Sequence, residues 1–240
     1  MELNKKIKIS ELAGIILGDG NLNRKSNCIT IVGSLEDFYY FKNHVIPIIT
    51  SLFNVNPKIR KRKDRNAFYI DFCSKYVMDY LSKKIGLSRG NKIDAKIPAF
   101  IKENTKLIPH FLRGLFDTDG CLKFSKQNAD KNYYPRVRLT FKKSGFASEV
   151  EEVLIKSGFE YGKWEDKRGN VVVFYEISGK ENLKKWMNII NPANVVHISK
   201  YLFWSKFGYC IPKSSLEERT KALNLNINKV SQSLPKADSF

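Results

Sequence analysis

Along this chain, apolar positions crowd most densely in two short stretches of the same length, residues 12–20 (LAGIILGDG) and 112–120 (LRGLFDTDG). Each is apolar on nearly every side, which predicts a buried helix. Each closes on Asp-Gly, where a glycine can supply the left-handed turn that ends a helix. Residues 1–9 read as a lysine-rich lead-in, with Ser10 as N-cap of the first helix. After Gly20 comes a polar, hairpin-like segment whose second arm, 28–32, reads as a strand. Residues 36–53 form an amphipathic helix that Pro47 should kink or shorten. Strands at 58–63 and 67–73 follow, and then a helix at 75–85 stopped by Gly86. The second half repeats the order: a helix headed by Pro109, strands at 121–126 and 136–142, a helix at 146–156, strands at 161–167 and 171–177, and a helix at 181–190.

The repetition is visible in residue types as well as periodicity. FYIDFCSK at 68–75 matches FYEISGK at 174–180, which pairs Asp71 with Glu176 at an offset of 105 (176 − 71), beside 100 (119 − 19) between Asp19 and Asp119. A pseudo-twofold protein is the simplest account. We therefore expect an α+β fold of two αββαββα repeats, residues 1–90 and 109–213, whose antiparallel sheets form a saddle around paired central helices. Residues 91–108 join the repeats across the surface. Past Asn191 a loop and closing helix are expected, and 214–240 read as a polar, partly disordered tail.

Acids at the C-terminal ends of helices need an explanation, because the dipole and the unpaired carbonyls there are already negative. Gly14 and Gly18, and Gly114 and Thr118, recur four apart, so one flank of each helix carries little side chain. If those flanks face each other, Asp19 and Asp119 come side by side, and with the carbonyls of Gly18 and Thr118 they make an all-oxygen nest suited to Mg²⁺, with Mn²⁺ as a substitute.

The formal net charge of +18 and a pI near 9.7 point to a polyanionic partner, and 42% hydrophobic content suffices for a core. Strand alternation gives that charge a location. Arg136, Arg138, Thr140 and Lys142 point one way, and Val137, Leu139 and Phe141 the other. Lys123 and Ser125 oppose Leu122 and Phe124. In the first half Lys58, Arg60 and Arg62 share a face, with Tyr69 on the neighbouring strand and Asn21 and Asn23 on the hairpin. Such a ribbon suits the major groove of double-stranded DNA. Cys28, Cys73, Cys121 and Cys210, and the three histidines, show no metal-site spacing and read as ordinary buried or polar residues. No apolar run approaches membrane-spanning length and no signal-peptide core is present, so we expect no membrane partner and an intracellular protein, cytoplasmic in a prokaryote or organellar.

Through Leu12, Ala13, Gly14, Asp19 and Gly20, and Leu112, Gly114, Asp117, Asp119 and Gly120, the chain resembles the LAGLIDADG homing endonucleases of the single-chain, two-motif type. The likeness extends over roughly residues 10–210. Leu17 stands in place of the family's first acid and Arg113 in place of its alanine. The resemblance implies a monomer with its motif helices over a central minor groove, and Asp19 and Asp119 holding divalent metal for hydrolysis of both DNA strands. It also implies basic groups near each phosphate, for which Lys142 and Lys143 are the candidates, with Lys123 behind them. The matching first-half strand ends in Val32 and Gly33 and offers no lysine, so unequal cutting of the two strands is expected.

Two other readings remain in view. The same fold can serve a non-catalytic binder, such as a maturase acting on intron RNA or a DNA-binding regulator. LFDTDG also resembles the start of haloacid dehalogenase-like phosphatases, where Asp117 would be a nucleophile at a strand end. The first residues lack an intein's nucleophile and the last lack His-Asn, so the expectation is a free-standing or intron-encoded protein.

Overall fold

The computed structural model describes residues 2–92 and 95–233. Two positions of the joining segment, 93 and 94, and the end of the expected tail, 234–240, lie outside the described residues. The first half runs α1 (Leu3–Gly18), β1 (Gly20–Leu22), β2 (Cys28–Ser34), α2 (Phe38–Tyr40), α3 (Ile46–Phe53), β3 (Lys58–Lys61), β4 (Ala67–Cys73) and α4 (Lys75–Asp79). After the short joining helix α5 (Ala99–Lys102) come α6 (Ile108–Asp119), β5 (Cys121–Ser125), β6 (Tyr134–Lys142), α7 (Gly145–Lys156), β7 (Gly162–Asp166), β8 (Val172–Ser178) and α8 (Lys180–Ile189). Two further helices, α9 (Val195–Phe207) and α10 (Leu216–Leu223), complete the described chain.

The strands form two four-stranded antiparallel sheets of identical order, β1-β2-β4-β3 and β5-β6-β8-β7. This is the α+β, two-repeat architecture expected of the sequence. Alternation along β6 is complete: Pro135, Val137, Leu139 and Phe141 are buried, and Arg136, Arg138 and Thr140 lie half-buried on the other face.

The centre is the pair α1 and α6. Leu12, Ile15, Phe111, Leu112, Leu115 and Phe116 around their contact are removed from water, each contributing roughly 1.5–3 kcal/mol by burial. At the crossing the contact is backbone on backbone. A Cβ added to Gly14 would lie 2.1 Å from the Phe111 carbonyl oxygen, and one added to Gly114 would lie 2.1 Å from that of Glu11.

Several local expectations are corrected. Helix α1 starts at Leu3, so the lead-in is helical, and Ser10 lies buried within it. Its hydroxyl donates back to the Lys6 carbonyl (2.8 Å) instead of capping. Gly120 ends its helix in extended geometry (φ −83°), and Gly20 is not among the positive-φ residues. What excludes a side chain there is the chain's return onto its own helix: a Cβ would fall 2.5 Å from Ile16 Cα at Gly20 and 2.5 Å from the Phe116 carbonyl oxygen at Gly120. Pro47 does not break the 36–53 segment, because the π turn Phe41–Val45 widens the helix just before it and Pro47 enters the first turn of α3.

Cysteine pairing is also corrected. Cys28 and Cys73, directly opposite in the β2–β4 register, form a disulfide, which the 45-residue separation hid from any motif. Cys121 and Cys210 are free thiols.

The segment after Ser214, expected as a polar tail, contributes α10. Its capping box is complete: Ser215 Oγ accepts from the Glu218 N–H (3.1 Å) and Glu218 Oε2 accepts from the Ser215 N–H (2.7 Å). Leu216 and Val230 join Val195 and Ile198 in a second small core against Tyr39 of the first half. No helix among the described residues is long and apolar enough to cross a membrane.

The backbone contact at the crossing makes a sharp prediction. Gly14→Ala should destabilise the protein by on the order of 3 kcal/mol, because neither backbone can retreat without opening the collar. Gly145→Ala, with nothing within 4 Å of the added carbon, should stay within about 0.5 kcal/mol. Urea midpoints of the two variants against wild type decide it.

Candidate functional site

The abutting helices deliver their last residues to one place. A Cβ on Gly18 would meet Thr118 Oγ1 at 2.0 Å and Asp119 Cγ at 3.7 Å, so the ends of the two motifs touch. The hydroxyl of Thr118 is turned inward, donating to the carbonyls of Gly114 (2.9 Å) and Leu115 (3.1 Å). Asp19 is half-buried, and Asp119 opens onto a cleft of about 670 Å³. Desolvation, followed by the nearby charges of Asp119 and Asp37, pushes the Asp19 carboxyl up to about 7. Desolvation by the neighbouring helix end raises Asp119 as well, although its side chain is exposed on the cleft side.

Lys92, in the segment joining the repeats, was not among the residues expected here. Its ammonium donates to the Gly18 carbonyl and lowers the carboxyl pKa values of both Asp19 and Asp119, while burial lowers its own. Only topology could have pointed to it: a chain leaving the first repeat for the second must pass the helix ends.

Two carboxylates against one ammonium leave a net negative charge at the site. Among the described residues, no three or more His, Cys, Asp or Glu side chains are placed to hold one metal ion together. A divalent cation at this site would therefore rest on the two carboxylates and the carbonyl oxygens of Gly18 and Thr118, with Lys92 displaced from the former. That hard-oxygen donor set, whose anions are disfavoured as they stand, fits Mg²⁺ or Mn²⁺.

Asp117 does not reach this site. It is buried inside α6, where Oδ2 accepts the Ala193 N–H (2.7 Å), and desolvation pushes its carboxyl up to about 7. Helical and sealed, it cannot be a strand-end nucleophile, which removes the phosphatase reading. Beside it, Asn194 Nδ2 donates both to the Asp117 carbonyl (2.9 Å) and to Asp37 Oδ1 (2.8 Å), tying the two halves together.

The same cleft is lined by Thr140, Lys142, Lys143 and Asn170. Both lysines are exposed, and Lys143 pairs with Glu165 (2.8 Å). Farther out on the second sheet, Lys123, Ser125, Arg136 and Arg138 share one face. On the first sheet, Asn21, Thr30, Asp71 and Lys58 form one cross-strand row, and Val32, Tyr69 and Arg60 form another. Not every expected reader is equally available. Asn23 Oδ1 accepts two N–H groups of its own turn (2.9 and 3.0 Å), and Arg62 holds Asp64 with a two-pronged contact (2.9 Å each).

A chain of two fused, quasi-symmetric α+β repeats, joined at a glycine-faced helix pair that ends in adjacent acids and flanked by basic sheet faces, defines a class. Residues 107–191 match the family model of the LAGLIDADG-like domain. Over that stretch the chain is similar to the LAGLIDADG-like domain, and its fold as a whole is the two-repeat fold of the single-chain LAGLIDADG proteins. Among solved structures, it is similar to the homing endonuclease I-DmoI (TM-score 0.54, 19% identity, 78% of this chain and 97% of that one). It is also similar to a mutant of I-SmaMI (0.54, 12%, 95% and 99%) and to the N-terminal LAGLIDADG domain of DUF199/WhiA (0.53, 16%, 78% and 81%). Further matching structures hold I-DmoI with DNA and calcium, or with its target DNA in the presence of magnesium. Among curated proteins, it matches a glutamine–fructose-6-phosphate aminotransferase of Methanocaldococcus jannaschii, 21% identical over 166 residues, and this chain spans only 14% of that protein's length.

The raised Asp19 carboxyl has a consequence for stability. Its folded pKa lies above the unfolded value near 3.8, so its contribution is fully present below about pH 4 and is lost as the pH rises through about 7. Without divalent metal, Asp19→Asn should therefore be more stable than wild type at pH 8, by roughly 1 kcal/mol or more, and the difference should shrink towards pH 4. Chemical denaturation in EDTA at the two pH values measures it.

Proposed function

We propose that this protein is a divalent-metal-dependent endonuclease that cuts both strands of duplex DNA at a specific site, the reading best supported by the juxtaposition of Asp19 and Asp119 between two basic sheet faces. One sheet would follow each half-site, and the helix ends would face the two central phosphates. Phosphate contacts from lysines such as Lys58 and Lys142 would set the register, leaving arginines and asparagines to read base edges.

At the centre the chain's own groups divide the work. Asp19 and Asp119, with the carbonyls of Gly18 and Thr118, would hold Mg²⁺ or Mn²⁺, which when bound supplies a nucleophilic hydroxide and offsets charge on the leaving oxygen. Leu17 and Phe146 line part of the cleft and limit water near the phosphate. Released from Gly18, Lys92 can place its ammonium against a scissile phosphate oxygen. On the second-half side Lys142 can do the same, whereas the first-half strand ends in Val32, Gly33 and Ser34 and has no such group.

A binding-only protein, acting on DNA as a regulator or on intron RNA as a maturase, is favoured by one observation: Lys92 already satisfies the Gly18 carbonyl and partly neutralises both acids. On either reading the chain would act as a monomer, because it carries both repeats, and inside a cell, where its nucleic-acid partner resides.

Cleavage of DNA spanning the gene's own insertion site separates these readings. With Mg²⁺, wild type should produce linear plasmid, with nicked circles accumulating first because the two sides are unequally equipped. Asp19→Asn and Asp119→Asn should each lose about a thousandfold or more in rate and retain binding. Mg²⁺ should raise the thermal midpoint of wild type and leave the double variant unmoved. Binding without cleavage in wild type, at any divalent concentration, would establish the binder instead.

A further inference from the structure

The second sheet carries a carboxylate where a polyanion binder is least expected to have one. Glu176 lies on the basic face of β8, yet it is only 4% exposed, because three cations close over it. Arg138 donates to Glu176 Oε2 through Nε (2.9 Å) and Nη2 (2.6 Å), Arg136 Nη1 donates to Oε1, and Lys123 Nζ stands 3.7 Å from Oε2. Arg136 is fixed further by Nε donating to Ser125 Oγ (3.1 Å). Arg138 lies over the rings of Trp164 (4.9 Å) and Phe174 (5.3 Å), which are themselves stacked 7° from parallel.

The donor inventory shows what this leaves over. A guanidinium has five N–H groups. Arg138 gives Glu176 its side edge and keeps Nη1 and the outer hydrogen of Nη2. Arg136 spends Nε on Ser125 and one Nη1 hydrogen on Glu176, keeping Nη2. Arg138 therefore retains an end-on pair of donors, the arrangement that engages O6 and N7 of guanine, and Arg136 retains its Nη2 donors, both on side chains whose torsions are already restrained. Three cations against one carboxylate also leave two positive charges, so the face still attracts DNA.

The first sheet is built differently at the matching position. Asp71 occupies the place of Glu176 and, among the described residues, pairs with Arg60 (2.9 Å), an exposed side chain from the edge strand. Thr30 stands across from Asp71 where Arg138 stands across from Glu176.

We propose that Glu176 is a positioning residue for base reading: it locks Arg136 and Arg138 into guanine-reading poses, so that sequence discrimination is concentrated in the half-site beneath the second sheet. The inference rests on DNA binding by the two sheets and is independent of cleavage.

Selection from a random duplex library in EDTA, where no strand is cut, tests it. Wild type should enrich a two-part motif. In Glu176→Gln the preference for G·C at one or two positions of one half should fall about tenfold, and the other half, identified by its loss in Arg60→Ala, should be retained. Non-specific duplex should bind the same variant more tightly, with a salt slope steeper by about one, because a negative charge has gone. A folding defect predicts the opposite sign. Glu176→Asp keeps the charge and withdraws it by one methylene, so the same half should lose preference with no change in salt slope.

Discrimination that is unchanged, or lost equally in both halves, overturns the proposal. So does a wild type that enriches no motif or that prefers structured RNA in competition. A motif bound but not cut when Mg²⁺ is restored overturns the nuclease reading alone, and the half-site comparison still decides the role of Glu176.

Discussion

The distance of closest approach between α1 and α6 governs the rest of the molecule. With hydrogen in place of a side chain at Gly14 and Gly114, each helix backbone rests on the carbonyls of the other. An apolar collar of Leu12, Ile15, Phe111 and Leu115 surrounds the contact and holds it shut. One turn farther along, the same closeness forces Gly18 against Thr118 and sets two carboxyl groups together at the wall of the cleft. The chain therefore spends packing energy gained in the collar on a repulsion at the helix ends, a common distribution of strain when a site must be ready for a cation. Lys92 moderates that repulsion without cancelling it.

The two sheets share a strand order but not an electrostatic design. In the first, Arg60 on the edge strand pairs with Asp71 and Arg62 just beyond it pairs with Asp64, two separate and more exposed contacts. In the second, cations converge on a buried carboxylate and lean on aromatic rings.

Much of this was legible in the amino-acid sequence, for identifiable reasons. Strand 67–73 was read to the residue, and β6 to within two, because period-two alternation is strong where one face is apolar. The helix pair was legible because small residues recur at a spacing that has no other obvious use. Features set by tertiary register were not. Cys28 and Cys73 are ordinary residues until β2 and β4 align, and Lys92 belongs to a connection without periodicity. Glu176 was seen as the counterpart of Asp71, but its convergence with three cations depends on which strands are neighbours. The α10 helix, by contrast, was announced by Ser215 and Glu218 at capping-box spacing, and its polar composition masked it.

Asn194 reaches Asp37 from one repeat and the Asp117 carbonyl from the other, while the Leu216 N–H donates to Glu36 Oε1 (2.5 Å). Residues 194–216 thus form a buckle closed over the seam, fastened to the first repeat by two consecutive acids. Chimeric proteins made by grafting a foreign first repeat onto this second one would have to import Glu36 and Asp37, or lose the fastening that keeps the halves from sliding along their shared glycine track.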